Sequence, residues 1–341
     1  MTQKNEKILA IQFQYLGDII FLLPALKALK IKFPKAELHV LVAKEMKGLL
    51  SHVDFIDRLW VVSRVRGEIN FFTNFPLILA LRRESFTRSV DFGGNDRGAI
   101  YSLLSGAKMR LGMINKPNHI LHNLCYNQKI AATNLSKVYI QKNLDLLSLW
   151  NIGMPFKSIP QIDFDRSHLL EAKKILKGKD IVCHIGTSQP KKEWPIYRWL
   201  ELNKLFKRSG LKVVYTSGVS LRERSLLDDL KAKDKFIHTL EPTKNLNLFL
   251  AVLSLSKVVV SGDTGPLHFA AALGANIVGL YAVEGSVVHA APNYISSQKI
   301  IGNKCLCTKS LQHYETCQNA VSCMSSIQPV DVFKRVKFLL G

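Results

Sequence analysis

No run in this 341-residue sequence is both apolar and long enough to cross a bilayer. The most apolar stretches, residues 19–29 and 246–255, fall short of the ~20 residues required and are broken by Pro24 and Lys27 or by Asn247 and Ser254. Residues 1–7 are polar, and the apolar run after them is too short for a secretory core, so no signal peptide is expected and the chain reads as soluble and cytoplasmic. Several nucleotide and hydrolase fingerprints are missing. There is no G-x-G-x-x-G after the first strand and no G-x-x-x-x-G-K-[ST], which argues against a typical dinucleotide site or P-loop. The absence of G-x-S-x-G removes the common hydrolase elbow. No repeat of solenoid period is visible, and cysteine is sparse, with six residues and no C-x-x-C pair.

Acidic residues are also in deficit, 26 Asp and Glu against 47 Lys and Arg, for a net charge of +21. The excess is shared: residues 1–160 hold 22 basic and 11 acidic side chains, and the rest hold 25 and 15. There is no basic tail and no basic-aromatic stacking motif of the kind nucleic-acid binders use, so the charge points to a phosphate-rich membrane surface or substrate, with nucleic acid as the rival partner. A 47% hydrophobic and 21% charged composition is that of a folded globular chain, and the length favours two domains meeting at a ligand-binding cleft.

Short β-rich runs alternate with helical patterns, the signature of parallel α/β sheets. The first half predicts strands at 8–13, 37–42, 58–62 and 88–92, with helices at 18–32, 44–51, 76–84, 96–104 and a long one at 138–150. Residues 151–165 contain Gly153, Pro155 and Pro160 with little periodicity, which places a linker there and divides the chain into domains 1–155 and 156–341. The second half predicts strands at 180–185, 212–217, 236–240, 258–261 and 276–281, with helices at 167–176, 195–209, 221–230, 245–255 and 266–273.

Four strand ends carry residues suited to chemistry. After the strand at 258–261, Asp263-Thr264-Gly265-Pro266 leads into a helix whose free N–H groups and positive dipole end suit a diphosphate, while neither Asp263 nor His268 is needed for capping. Asp263-Thr264-Gly265 is also the aspartic-protease tripeptide, but it occurs once and in an α/β setting, which rejects that reading. After the strand at 180–185, Thr187, Ser188, Lys191 and Lys192 make a plausible phosphate clamp. Glu223, following Ser217-Gly218, has the carboxylate a ribose would use. At the first strand end, Gly17 permits a tight turn and Asp18 opens a helix, either as an N-cap or as a general base.

In this order the chain resembles glycosyltransferase family 9, the ADP-heptose:lipopolysaccharide heptosyltransferases. The matches are Leu16-Gly17-Asp18 with Leu23-Pro24-Ala25-Leu26, then Lys192-x-Trp194-Pro195, then Ser261-x-Asp263-Thr264-Gly265-x-x-His268-x-Ala270-Ala271-Ala272. The resemblance implies an α/β GT-B fold, two Rossmann-like domains facing across a cleft, with acceptor on the amino-terminal and ADP-sugar on the carboxy-terminal domain. It implies an inverting displacement with Asp18 as base. Thr187, Ser188, Lys192, Asp263, Thr264, Gly265 and His268 would contact diphosphate and sugar, and Glu223 the ribose. Ser188 replaces a Thr of some relatives and keeps the hydroxyl. Arg64 and Arg66 resemble only loosely an arginine-rich acceptor segment. No cofactor is expected to be required, a divalent cation acting only as a stimulant, and the expected partners are an ADP-sugar, an anionic glycolipid and the cytoplasmic face of the inner membrane, with no nucleic acid. Cys305, Cys307, Cys317 and Cys323 cluster in a spacing able to hold zinc or iron, with reduced thiols the default reading and no metal assigned.

Overall fold

The computed structural model describes residues 6–63, 74–116, 119–153, 160–243, 245–282, 284–293, 297–302 and 323–341, the side chains of 284–286 and 323 excepted. Arg64, Arg66, Cys305, Cys307 and Cys317 lie outside the described residues, as does the side chain of Cys323. The chain divides into two compact units, residues 1–163 and 164–341.

The first unit is built on a parallel sheet of β1 (Lys7–Gln12), β2 (Glu37–Ala43), β3 (Arg58–Val62), β4 (Arg88–Asp91), β5 (Met109–Ile114) and β6 (Gln128–Ala131), in the order β3-β2-β1-β4-β5-β6. The central strand, KILAIQ, is buried from Ile8 to Gln12 because helices cover both faces, so it reads as an apolar run with no alternation. The helices are α1 (Leu16–Lys32), α2 (Lys47–Leu50), α3 (Phe75–Arg83), α4 (Asp96–Leu104), α5 (Ile120–Cys125) and α6 (Tyr139–Leu146). Helix α1 is buried on nearly every side from Ile19 to Leu26 and contains Pro24, which removes one rung of its hydrogen-bond ladder. From α6, the buried Asn143 amide donates to the Phe21 carbonyl (3.0 Å) beside that break. The long helix expected at 138–150 is instead α6 followed by a 3-10 turn, Leu147–Trp150, which ends on Asn151 in the left-handed conformation (φ 52°).

The second unit holds a parallel sheet of β7 (Ile181–His184), β8 (Val213–Thr216), β9 (Val258–Gly262), β10 (Asn276–Tyr281) and β11 (Ser297–Ile301), ordered β11-β10-β9-β7-β8. Around it lie α7 (Leu169–Leu176), α8 (Ile196–Arg208), α9 (Leu221–Lys233), α10 (Leu246–Ser254), α11 (Gly265–Ala272), α12 (Glu284–Ala290) and a closing helix, Pro329–Leu340. One face of this sheet buries Cys183, Ile185, Tyr215 and Val260 with Trp194, Trp199 and Phe206, and Val332 and Val336 of the closing helix complete the cluster. The strand expected at 236–240 is corrected. It makes a single bridge, Thr239 to Tyr215, because Phe236 points to solvent at 89% exposure and only Ile237 is left to anchor the segment.

Both sheets are doubly wound, and each reverses direction once. The first turns back between β1 and β4, the second between β7 and β9. Sheets of this kind bind ligands at the carboxyl ends of the strands flanking the reversal.

Candidate active site

At the reversal of the second sheet, the segments after β7 and β9 are brought together by register and by a glycine. His184 pairs with Ser261 in the parallel ladder, so the next residues of both strands emerge side by side. A Cβ on Gly262 would lie only 3.2 Å from the Lys192 carbonyl and from the Thr187 methyl, so a glycine here allows the two loops to close on each other. Lys192 Nζ then donates to Asp263 Oδ2 at 2.7 Å, and His268 Nε2 faces Asp263 Oδ1 across 3.7 Å. Burial alone would push the Asp263 carboxyl up. The His268 imidazole and the Lys192 ammonium outweigh it and hold it at about 2. Asp263 is therefore a carboxylate across the physiological range, and it stores a lysine at the site in a neutral pair.

Asp263 ends where α11 begins. Thr264 occupies the N-cap position in extended conformation, and its side chain makes no capping bond. Helix α11 starts at Gly265 with Pro266 in its first turn, where a missing N–H costs no helical bond. The Leu267 N–H bonds the Thr264 carbonyl (3.1 Å), which leaves the Gly265 N–H and the helix dipole to face an anion. Thr187 is buried and its hydroxyl donates to the Gln189 carbonyl (2.6 Å), fixing the loop, whereas Ser188 is exposed.

Glu223 also reaches this edge. It stands in the first turn of α9, where Ser220 Oγ donates to its carboxylate (2.6 Å). The carboxylate lies against Gly218, where any Cβ would collide with it, and a Cβ on Gly186 would come within 2.9 Å. Two glycines at the ends of β7 and β8 thus make room for it. Next to it, Arg222 was not anticipated from the sequence. Its guanidinium binds the Glu193 carboxylate and the Thr187 carbonyl, tying α9 to both clamp segments. No sequence signal pointed to it, since Glu193 follows Lys191 and Lys192, two nearer cations, and only the fold pairs it with Arg222.

At the reversal of the first sheet, Asp18 sits in the first turn of α1 and not at its cap. Tyr15 holds the cap position, and Asp18 Oδ2 accepts from the Tyr15 N–H at 2.9 Å in a capping box. Lys142 of α6 stands close by: burial depresses its ammonium, and the Asp18 charge opposes that shift. The loop after β4 is tied down by hydrogen bonds to Asp91. Asp91 accepts from the Gly93 N–H (2.9 Å) and the Tyr126 hydroxyl (2.6 Å), and burial raises its carboxyl to about 6 against those donors. Gln14 bridges the two loops with a bond from Nε2 to the Gly93 carbonyl (2.9 Å).

Two clusters of phosphate-competent and acid-base residues at sheet reversals are what a glycosyl transfer needs, and sequence comparison decides the family. The profile of glycosyltransferase family 9 (heptosyltransferase) matches residues 75–320. The chain belongs to that family. It is 25% identical to lipopolysaccharide heptosyltransferase 1 of Campylobacter coli, an alignment covering 98% of this chain and 99% of the relative. Its fold is that of the family 9 glycosyltransferase from Veillonella parvula DSM 2008 (TM-score 0.82, 16% identity, 100% of this chain and 98% of that one). It also matches Escherichia coli ADP-heptose lps heptosyltransferase II (TM-score 0.78, 18% identity, 98% of each chain). This family 9 chain is a glycosyltransferase of GT-B fold. Among the described residues no helix is long and apolar enough to cross a membrane.

Proposed function

We propose that this family 9 enzyme transfers heptose from ADP-heptose to the inner core of lipopolysaccharide, with inversion at the anomeric carbon. The observation that carries the reading is the Lys192–Asp263–His268 cluster beside the start of α11, a neutralised cation next to a helix N-terminus at one sheet edge. A diphosphate arriving there competes with Asp263 for the Lys192 ammonium and gains the α11 dipole. Ser188 supplies a hydroxyl from the loop that Thr187 holds, Thr264 and Gly265 the helix-start backbone, and Glu223 accepts from the ribose.

In the transfer, the acceptor hydroxyl attacks the anomeric carbon, the bond to the diphosphate oxygen breaks, and ADP leaves with the electron pair. Lys192 and α11 stabilise the negative charge that grows on that oxygen. Asp18 takes the hydroxyl proton. Its carboxylate is oriented by the Tyr15 N–H and has the Lys142 ammonium nearby. The chemistry requires no cofactor. The names of the similar proteins support a heptose donor and a lipopolysaccharide acceptor; the +21 charge suits an anionic glycolipid presented at the inner membrane surface, and the lack of a basic tail or basic-aromatic motif argues against nucleic acid.

A related transferase using another nucleotide-diphosphate sugar remains the second reading, since the clamp described recognises the diphosphate and not the sugar. Turnover with ADP-heptose against other ADP- and UDP-sugars, on a panel of core-truncated lipopolysaccharides, separates them. Faster transfer from a donor other than ADP-heptose overturns the first reading.

A further inference from the structure

The loop after β4 and the loop after β5 bring together three side chains that the transfer does not use. Asp96 opens α4, His119 caps α5, and His122 lies one turn into α5. His122 Nε2 is 3.0 Å from Asp96 Oδ1, and His119 Nε2 is 3.3 Å from the same oxygen. All three candidate ligand atoms lie within 4.8 Å of one another. The imidazole rings stack at 4.0 Å with 28° between planes, so both Nε2 edges face the carboxylate together.

We propose that Asp96, His119 and His122 form a binding site for a divalent transition-metal ion of the zinc, cobalt or nickel kind. Ligands about 2.0 Å from a tetrahedral ion stand about 3.3 Å apart, and both nitrogen-to-oxygen spacings are close to that edge. Two imidazoles and one carboxylate are a donor set for borderline ions and not for calcium or magnesium, which take oxygen ligands.

The scaffold is stiff on one side and open on the other. His122 is buried and its ring packs edge-on against Tyr126, itself bonded to Asp91. The Asp96 and His119 side chains are 60% and 32% exposed, which leaves the remaining coordination positions to water or to an anionic oxygen of a ligand. Metal binding exchanges one long bond, His122 N–H to His119 Nδ1 at 3.4 Å, for coordination at the other end of that ring. The site stands apart from Cys305, Cys307, Cys317 and Cys323 in sequence and in donor chemistry, and it does not depend on the identity of the sugar donor.

The test is calorimetric titration of the full chain with Zn²⁺, in the parent and in a background with those four cysteines changed to Ser. One equivalent should bind in both. His119→Ala and Asp96→Asn, which alter exposed side chains, should each weaken it by more than the ~10- to 100-fold that outer-sphere changes cost. Co²⁺ bound at the same equivalent should show d–d absorption without thiolate charge transfer. Zinc binding that is unchanged by His119→Ala, or Co²⁺ spectra that arise only from thiolate ligation, overturns the proposal. If the four-Ser chain does not fold, the difference between parent and His119→Ala decides.

Discussion

Removing Lys192 should damage stability and donor affinity through two separable effects, and the structure says how to separate them. In the ligand-free chain Lys192 neutralises Asp263, whose side chain is 9% exposed. The Asp263 carboxyl is held at about 2 in place of 3.8, equivalent to about 2–3 kcal/mol of net interaction with Lys192 and His268 after burial is overcome. Lys192→Ala leaves the carboxylate with His268 alone. Losing one partner of a buried pair costs ~3–5 kcal/mol, and because Lys192 itself is 22% exposed the cost here should sit lower, at about 2–3 kcal/mol. ADP affinity should fall by the charge-assisted contact, ~1.5–3 kcal/mol or roughly 10- to 150-fold, and further because an unpaired negative charge now faces the diphosphate. Adding Asp263→Asn removes that charge. The double variant should therefore recover most of the stability in urea unfolding and only the repulsive part of the affinity in ADP calorimetry. Parent-like ADP affinity in Lys192→Ala would refute the reasoning outright, and full recovery of affinity in the double variant would reduce Lys192 to a counter-charge with no contact of its own.

Asp18→Asn keeps an oxygen able to accept from Tyr15, so α1 should remain capped while turnover falls by ~10²–10⁴ with ADP binding little changed; near-parent turnover in folded protein removes Asp18 as base. Asp91 gives a pH prediction of definite sign. Its folded value, about 6, lies above the ordinary 3.8, so the folded chain holds this proton more tightly, and the resulting stabilisation is complete below pH ~4 and lost as pH rises through about 6, by about 3 kcal/mol in all. Asp91→Asn should abolish that loss, so the stability difference between parent and variant should shift steadily in the variant's favour between pH 4 and 7; parallel pH profiles would show that Asp91 titrates normally.

Much of the fold was legible because parallel α/β architecture writes itself in apolar runs. Strands such as KILAIQ and VVVSG are buried on both faces, so burial and sequence pattern coincide. Where they part, sequence reading fails. Residues 109–131 form β5, α5 and β6, but MRLGMI has polar and glycine breaks, and the β6 segment QKIA has no fully buried residue, so neither presents the continuous run that signals a buried strand. The error at 236–240 was the converse, a segment with β-rich composition whose Phe236 has nothing to pack against.

The site divides along the same line, between what a strand end announces and what only tertiary approach creates. Lys192, Asp263, His268 and Glu223 follow a strand's carboxyl end by eight residues or fewer, so a linear reading places them on one sheet edge, and the structure brings Lys192, Asp263 and His268 into one cluster. Glu223 reaches the same edge through Gly186 and Gly218. Arg222, Lys142 and the pair Asp91–Tyr126 act through partners 29 to 124 positions away, and no local pattern encodes such a distance. What selects them is desolvation: Arg222 offsets the burial that pushes the Glu193 carboxyl up, and Asp18 offsets the burial that depresses Lys142. A buried charge needs a counterpart somewhere in the chain, and only the fold supplies its address. Glu193 follows Lys191 and Lys192 in sequence, yet its address is Arg222.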